Sequence, residues 1–262
     1  MPAEHIFAEG GSPLIYAISD IHGNMRRFRS VMDQIQLKPE DDLYIIGDVI
    51  DRHPDGIAIL QEIMRAPNMH MLLGNHEYMM VNAICTGREL PWSYHQDKFD
   101  DYRLWYHNGG EVTCKAYRAL PDSEQEEILD FLMQLPLVEK LNVNGQKFIL
   151  AHAALPKWFT GLNMIQYRDV TEFCVWKRGI NFSKVKADGI FVFGHTPTIN
   201  ITHEDPMRIW YGRGETVIDI DCGSGLPDVP NQSIPFQGHL ACLRLDDLAE
   251  FYSEEDKDNA KK

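Results

Sequence analysis

The first third of the chain alternates between short apolar runs and segments with helical spacing of apolar residues. This alternation predicts three strands and three helices, which lie in the order Leu14–Ser19, Met25–Leu37, Leu43–Ile46, Ile57–Met64, His70–Leu73 and Glu77–Ile84. Strand, helix, strand, helix, strand at this spacing indicates parallel βαβ units. The chain therefore begins as an open α/β sheet, whose ligands bind at the carboxyl ends of the strands.

The remainder is organised differently. Thr86–Leu120 is polar and rich in aromatics, and Ser123–Met133 has helical spacing, so we interpret residues 86–136 as a helical insertion. It either covers a sheet face or forms a lid or substrate wall. An Asn-Gly turn then predicts a hairpin. The hairpin strands and later strands are Leu137–Val143, Lys147–Ala151, Gly189–Phe193, Arg208–Tyr211, Thr216–Ile220 and His239–Leu245. We expect one domain over residues 1–252, a two-sheet sandwich flanked by helices, and a mobile charged tail over 253–262.

Composition limits the classes of function. The net charge of −14 argues against a general nucleic-acid binder, which needs surplus Lys and Arg. Five cysteines without a C-x-x-C pair fit reduced thiols in a cytoplasmic protein. We find no apolar stretch long enough to span a membrane and no signal peptide.

Five short polar segments each follow a predicted strand. They are Ser19-Asp20-Ile21-His22-Gly23-Asn24, Gly47-Asp48-Val49-Ile50-Asp51-Arg52, Gly74-Asn75-His76-Glu77, Ala151-His152-Ala153 and Gly194-His195-Thr196-Pro197. A single Asp or His at a strand end is more often a cap or a satisfied polar group. Five segments of this kind, each directly after a predicted strand and each carrying compatible ligand residues, instead predict one metal site that hydrolyses phosphate esters.

The ligand types suit two cations side by side. Asp20, His22 and Asp48 can hold one ion, and the second oxygen of Asp48 can bridge to another. The second ion would be completed by Asn75, His152 and His195. A set of nitrogen and oxygen ligands without thiolate favours Mn, Fe or Zn over Ca.

Three further residues have other expected roles. His76 can donate a proton to the leaving oxygen, and Asp51 can hold its imidazole in the right tautomer. Arg52 offers a planar fork to phosphate. The predicted reaction is in-line attack of metal-bound hydroxide on phosphorus, without a phosphoenzyme.

The motifs resemble those of the calcineurin-like metallophosphoesterases, in the branch that contains bacterial and phage serine/threonine protein phosphatases and the related diadenosine tetraphosphatases. The resemblance implies a four-layer αββα sandwich and the same assignment of ligands, proton donor and Arg52. It places Asn75 and Arg178, in Val175-Trp176-Lys177-Arg178, beside the substrate phosphate. Three positions depart from the branch: Leu73 replaces an Arg, while His53 and Ala154 replace Gly.

Three hypotheses follow for function. The first is a two-metal phosphomonoesterase acting on phosphoserine or phosphothreonine proteins or on small phosphate esters. The second is a nucleotide hydrolase such as a diadenosine polyphosphatase, for which Trp92, Tyr94 and Trp105 would be stacking candidates. The third is a non-catalytic docking scaffold, which predicts loss of ligands or of the proton donor.

Overall fold

The structure, a computed structural model, describes residues 12–85, 90–92, 98–155, 167, 169–179, 188–202, 207–212, 214–227 and 236–254. Over these residues the chain forms ten strands and seven α-helices. The strands are β1 (Ile15–Ile18), β2 (Asp42–Ile45), β3 (Met69–Met71), β4 (Glu139–Val143), β5 (Gln146–Leu150), β6 (Ile190–Phe193), β7 (Trp210–Gly212), β8 (Val217–Asp219), β9 (Ala241–Arg244) and β10 (Glu250–Tyr252). The helices are α1 (Met25–Ile35), α2 (Gly56–Arg65), α3 (Asn75–Ile84), α4 (Lys98–His107), α5 (Glu111–Arg118), α6 (Asp122–Met133) and α7 (Val170–Trp176). None of the described helices is long and apolar enough to cross a membrane.

The strands form two mixed sheets of five. The first has the order β10-β9-β1-β2-β3, in which β1, β2 and β3 are parallel, as their alternation with helices predicts. The second has the order β4-β5-β6-β8-β7, in which β5, β6 and β8 are parallel. Both sheets are mixed because antiparallel strands flank each parallel core.

The two sheets pack face to face with helices outside them. Alternation along β1 turns Ala17 toward the second sheet, where it shares an apolar cluster with Phe148 and Val192, while Tyr16 and Ile18 face the helices. Helix α7 covers the outer face of the second sheet. The predicted sandwich of two mixed sheets flanked by helices is confirmed.

Helices α4, α5 and α6 lie within the predicted insertion and pack on α2 and α3. Trp92, Trp105 and Tyr117 are buried in the same core as the first sheet. Two of the three candidate stacking aromatics, Trp92 and Trp105, therefore cannot receive a base, and Tyr94 lies outside the described residues.

The structure differs from expectation at several boundaries. Helix α3 begins at Asn75 rather than at Glu77, and neither α7 nor β10 was predicted. The mobile tail was predicted to start too early, because Ser253 is buried and its amide donates to the carbonyl oxygen of Leu240. The amide of the next residue donates to Oγ of Ser30. Residues 255–262 lie outside the described part.

Candidate metal centre and active site

Parallel strands from both sheets carry the candidate ligands at their carboxyl ends. Asp20 and His22 follow β1, Asp48 follows β2, and Asn75 begins the helix after β3. The second sheet contributes two histidines in the same way, His152 after β5 and His195 after β6. All six side chains are at most 3% exposed. The fold thus brings the six ligand candidates into one buried cluster at the seam between the sheets.

The backbone of the site is unusual. Six candidate site residues have φ between +51° and +74°. They are Asp20, His22, Asp48, Asp51, Arg52 and His195. Left-handed backbone at a residue other than glycine costs on the order of 1–3 kcal/mol, and it persists where surrounding contacts enforce it. The positive φ angles in the turns after the strands set the direction in which these side chains point.

Glu77 holds the turn after β2 in that shape. Its Oε2 accepts the amides of Asp48 (2.9 Å) and Gly74 (3.2 Å), while Oε1 accepts those of Val49 (2.8 Å) and Ile50 (3.3 Å). One buried carboxylate thus satisfies four backbone donors around Asp48. The sequence motif contains this residue, but sequence reasoning gave it no role.

Each candidate ligand histidine has one ring nitrogen fixed by a backbone carbonyl. Nδ1 of His22 lies 3.1 Å from the carbonyl oxygen of Ile50, and Nδ1 of His152 lies 2.7 Å from that of Ile46. Nε2 of His195 lies 3.2 Å from the carbonyl oxygen of Trp176. When that nitrogen carries the proton, the other nitrogen presents a lone pair.

Those lone pairs are directed at further acceptors. Nε2 of His152 and Nδ1 of His195 lie 3.0 Å and 2.8 Å from the amide oxygen of Asn75. Nε2 of His22 lies 3.6 Å from Oδ1 of Asp20 and 3.7 Å from Oδ2 of Asp48. Converging acceptors repel one another unless a proton or a cation lies between them, so this donor set fits divalent cations.

Asp48 lies between the two halves of the cluster. Its Oδ2 faces His22, and its Oδ1 lies 3.4 Å from Nε2 of His152. The donor atoms of Asp48, His152 and His195 all lie within 4.8 Å of one another. This placement suits a carboxylate that bridges two ions.

The ionisation of these groups reflects their crowding. Burial alone would lower the pKa of His152, but the charge and hydrogen bond of Asp48, together with Asp20 and the Ile46 carbonyl, outweigh it and raise that pKa to about 9. In the metal-free protein His152 therefore carries a proton that a bound cation would replace. Burial would raise the pKa of Asp48, yet the nearby histidines, His152 foremost, hold it well below its usual value. Burial and the charge of Arg52 lower the pKa of His22 to about 4. The Asp48 carboxylate is therefore ionised at neutral pH and available to bind a cation.

Two more acids lie buried near the cluster. Burial, and then the charge of the neighbouring Asp221, raises the pKa of Asp219 well above the usual value. Burial and the charge of Asp20 do the same for Asp221. Both therefore favour the neutral form, which limits the negative charge around the candidate ligands. Sequence reasoning did not single out either residue.

His76 and Asp51 form a second arrangement beside the ligands. Nδ1 of His76 lies 2.6 Å from Oδ2 of Asp51, and both residues are buried. Nε2 of His76 lies 3.8 Å from Asp48, so His76 could be grouped with His22 and Asp48 as a ligand. However, the guanidinium Nη2 of Arg52 lies 3.3 Å from that Nε2, and its charge disfavours a cation there.

The remaining substrate candidates lie at the surface of the site. Arg52 and Arg178 are both exposed, and Arg178 lies two residues beyond α7. Burial lowers the pKa of His195 well below its usual value, with His152 and the Arg178 charge acting in the same direction. Arg178 is thus within electrostatic reach of the cluster, and its contact with phosphate stays a prediction.

The three positions that depart from the family pattern differ in how deeply they are buried. Leu73 is 1% exposed and packs in the core, so it offers no charge to a substrate. Ala154 is fully buried, while His53 is half-buried at the turn that follows Arg52.

Comparison with known proteins identifies the class. A family model described as calcineurin-like phosphoesterase matches residues 13–220. The chain belongs to this family, and it is a metal-dependent phosphatase.

The matching relatives include two groups. The chain is 28% identical over 199 residues to serine/threonine-protein phosphatase 2 of Escherichia coli, which covers 71% of this chain and 81% of that protein. It is 27% identical over 146 residues to the symmetrical bis(5'-nucleosyl)-tetraphosphatase of Erwinia tasmaniensis, which covers 55% of this chain and 45% of that protein. A solved metallophosphoesterase from Sphaerobacter thermophilus has a TM-score of 0.53 at 16% identity, over 94% of this chain and 89% of that one, which shows the shared fold.

Proposed function

We propose that the protein is a two-metal phosphomonoesterase acting on phosphoserine or phosphothreonine in proteins, or on small phosphate esters. The observation that carries this is the cluster of histidine and carboxylate acceptors around Asp48, next to the hydrogen-bonded pair His76 and Asp51. Manganese is the preferred metal in this proposal, with iron or zinc as alternatives, because the donors are nitrogen and oxygen only.

Asp20, His22 and Asp48 would hold one cation, and Asp48, Asn75, His152 and His195 the other. Bound cations supply positive charge for the phosphoryl oxygens and make an attacking water nucleophilic at neutral pH. Asn75 directly precedes His76 at the start of α3, and in this proposal its side chain also contacts the bound phosphate.

The chain's own groups perform the rest of the chemistry. Arg52 and Arg178 would bind the equatorial phosphoryl oxygens. Since Nη2 of Arg52 lies 3.3 Å from Nε2 of His76, a phosphate held by Arg52 has its leaving oxygen beside the proton donor. For this step Nε2, which faces the Arg52 guanidinium as an acceptor in the structure, must take up a proton once Arg52 binds the phosphate. His76 would then donate that proton to the leaving oxygen, while Asp51 keeps the other proton on Nδ1.

The substrate class is supported by the extent of the similarity. The relatives named as protein phosphatases match across most of both chains, whereas those named as tetraphosphatases match over about half. A nucleotide hydrolase is the second candidate, since relatives with that name retain significant similarity. The docking-scaffold hypothesis predicts lost ligands or a lost proton donor, and all of these residues are present.

The experiment is a parallel assay of purified, Mn²⁺-loaded protein. Rates are measured on a phosphoserine peptide, p-nitrophenyl phosphate and diadenosine tetraphosphate at the same enzyme concentration. We expect both monoesters to be hydrolysed faster than the dinucleotide. A dinucleotide rate above both would favour the nucleotide hydrolase, and silence on all three after metal loading would overturn the enzymatic proposal.

The role of His76 has its own test. His76→Asn should slow an alkyl phosphate by roughly 10²–10⁴-fold, the usual contribution of general acid catalysis. It should slow p-nitrophenyl phosphate much less, because nitrophenolate leaves without a proton. Equal losses on both substrates would contradict the proton-donor assignment.

A further inference from the structure

The helical insertion contacts the proton-donor pair directly. The indole Nε1–H of Trp105, in α4, is directed at both carboxylate oxygens of Asp51, at 2.9 Å from Oδ2 and 3.1 Å from Oδ1. The same carboxylate accepts the Nδ1–H of His76 at 2.6 Å. Asp51 and Trp105 are both fully buried. The indole thus shares Oδ2 of Asp51 with the imidazole and also reaches Oδ1.

The insertion also binds the backbone of the same turn. The amide of Asp51 donates to Oγ1 of Thr113 at 2.9 Å, and the amide of Arg52 donates to the carbonyl oxygen of Gly109 at 3.1 Å. These two residues have φ of 74° and 69°, so their conformation depends on contacts that hold it. Thr113 and Gly109 supply such contacts from α5 and from the turn before it.

The indole itself has little freedom. A Cβ atom at Gly110 would overlap the five-membered ring of Trp105, so the backbone of the turn Asn108-Gly109-Gly110 lies directly against that ring. Tyr102 and Tyr106 pack around it with ring centroids at 6.1 Å and 6.0 Å. The nitrogen that binds Asp51 is therefore fixed by the packing of the insertion.

We propose that Trp105 is a positioning residue for proton transfer, and that the insertion supplies it. This rests on the proposed function, in which His76 is the proton donor. A buried carboxylate held by one imidazole can turn about its Cβ–Cγ bond, which redirects the ring. A second donor shared between its two oxygens fixes the carboxylate plane, and with it the direction of Nε2 of His76. The insertion is then neither a simple cover nor a lid over the substrate.

Trp105→Phe is the principal test, because it removes the N–H and retains an aromatic ring. Steady-state kcat and KM are measured with Mn²⁺-loaded protein on a phosphoserine peptide and on p-nitrophenyl phosphate. We expect kcat on the peptide to fall roughly tenfold or more, in line with the loss of an outer hydrogen-bond partner. On p-nitrophenyl phosphate it should stay within about twofold, since that leaving group needs no proton.

Trp92→Phe is the matched control. Trp92 is also buried in this core, and its Nε1–H donates to Oδ1 of Asn82 at 2.9 Å, away from the proton-donor pair. It should leave the ratio of the two rates unchanged. If Trp105→Phe slows both substrates equally, or neither, the positioning role is overturned while the function proposed for the protein stands. If His76→Asn is itself unselective, the proton-donor assignment fails first, and that result does not depend on Trp105.

A double-mutant cycle tests whether Trp105 acts through Asp51. In an Asp51→Asn background, Trp105→Phe should cost less than about twofold further, because the group it positions is already altered. Multiplicative losses would refute the proposal.

A measurement without substitution of Trp105 covers the case in which that variant fails to fold. In NMR spectra of protein with ¹⁵N-labelled indoles, the Trp92→Phe variant identifies the indole N–H resonance of Trp92. Asp51→Asn should then shift the indole N–H resonance of a different buried tryptophan. Unmoved indole resonances would refute the contact.

Discussion

Glu77 offers the sharpest test of how the site is held together, because one carboxylate serves four amides. In Glu77→Gln the side chain keeps its length but retains a single acceptor oxygen. The amide group that replaces the other oxygen faces two backbone N–H groups, either those of Val49 and Ile50 or those of Asp48 and Gly74. Donor then meets donor in a site with no exposed surface.

The magnitude follows from counting those donors. A buried polar group left without a partner costs about 1–3 kcal/mol, so two cost about 4 kcal/mol of unfolding free energy. For a protein of this size 1 kcal/mol shifts Tm by about 2–4 °C, which predicts a fall of about 10 °C. The affinity for Mn²⁺ should fall as well, because the turn that aims Asp48 is the one released.

Thermal unfolding with and without Mn²⁺ provides the assay, run above the pKa of Glu77, which burial and then the Asp48 charge raise to about 7, so that the wild-type group is a carboxylate. Glu62→Gln is the control, since Glu62 pairs with Arg29 at the surface, where such pairs contribute about 0–1 kcal/mol. A Glu77→Gln protein that unfolds within about 2 °C of wild type and responds normally to Mn²⁺ would show that the four hydrogen bonds do not hold the turn.

Three other predictions concern the metal cluster. At a hundred times the Kd of each site, Mn²⁺ should stabilise the wild type by about 2.7 kcal/mol per site, and Asp48→Asn should abolish both this shift in Tm and the activity; an active, metal-responsive variant would exclude the bridging role. Gly225→Ala places a Cβ against the ring of His22 and the guanidinium of Arg52. We therefore expect kcat on a phosphoserine peptide to fall about tenfold or more, which corresponds to about 1.4 kcal/mol of activation free energy. An unchanged kcat would show that the loop moves to accommodate the methyl group. In metal-free protein the pKa of His152 is raised from 6.5 in the unfolded chain to about 9. Its contribution to the free energy of unfolding is therefore complete below pH 6.5 and is lost as the pH rises toward 9. Chemical denaturation across that range should show that the free energy of unfolding of His152→Gln depends less on pH than that of the wild type.

The three parallel strands of the first sheet could be predicted because each follows from a short apolar run and alternates with a helix that has an apolar face. The missed strand, Glu250–Tyr252, lies at an edge and is exposed or half-buried, so it lacks a continuous apolar run. Helix Val170–Trp176 has two turns, too short for periodicity to distinguish it from a buried strand. Short elements such as these are specified by the surface they pack against, which the sequence alone does not display.

The candidate ligands could be proposed from sequence because each belongs to a short motif at a strand end. Trp105 has no such signal: 54 residues separate it from Asp51, and a buried tryptophan on a helix is indistinguishable from core until its N–H is placed. Glu77 stood in a motif without a role, because its partners are backbone amides, which carry no identity in the sequence. Roles that depend on the type of side chain could be predicted from the sequence, whereas roles that depend on hydrogen bonds to the main chain could not.

The seam between the two sheets also sets the order in which the site can be built. Its contacts join distant parts of the chain: 120 residues separate Asn75 from His195, and 175 separate the amide of His195 from the Asp20 carboxylate that accepts it. During synthesis the first sheet's ligands emerge long before the partners from the second sheet exist. Full metal uptake therefore reports that both halves of the sandwich have docked, and a chain arrested before β6 would carry at most a half-formed, weakly binding site.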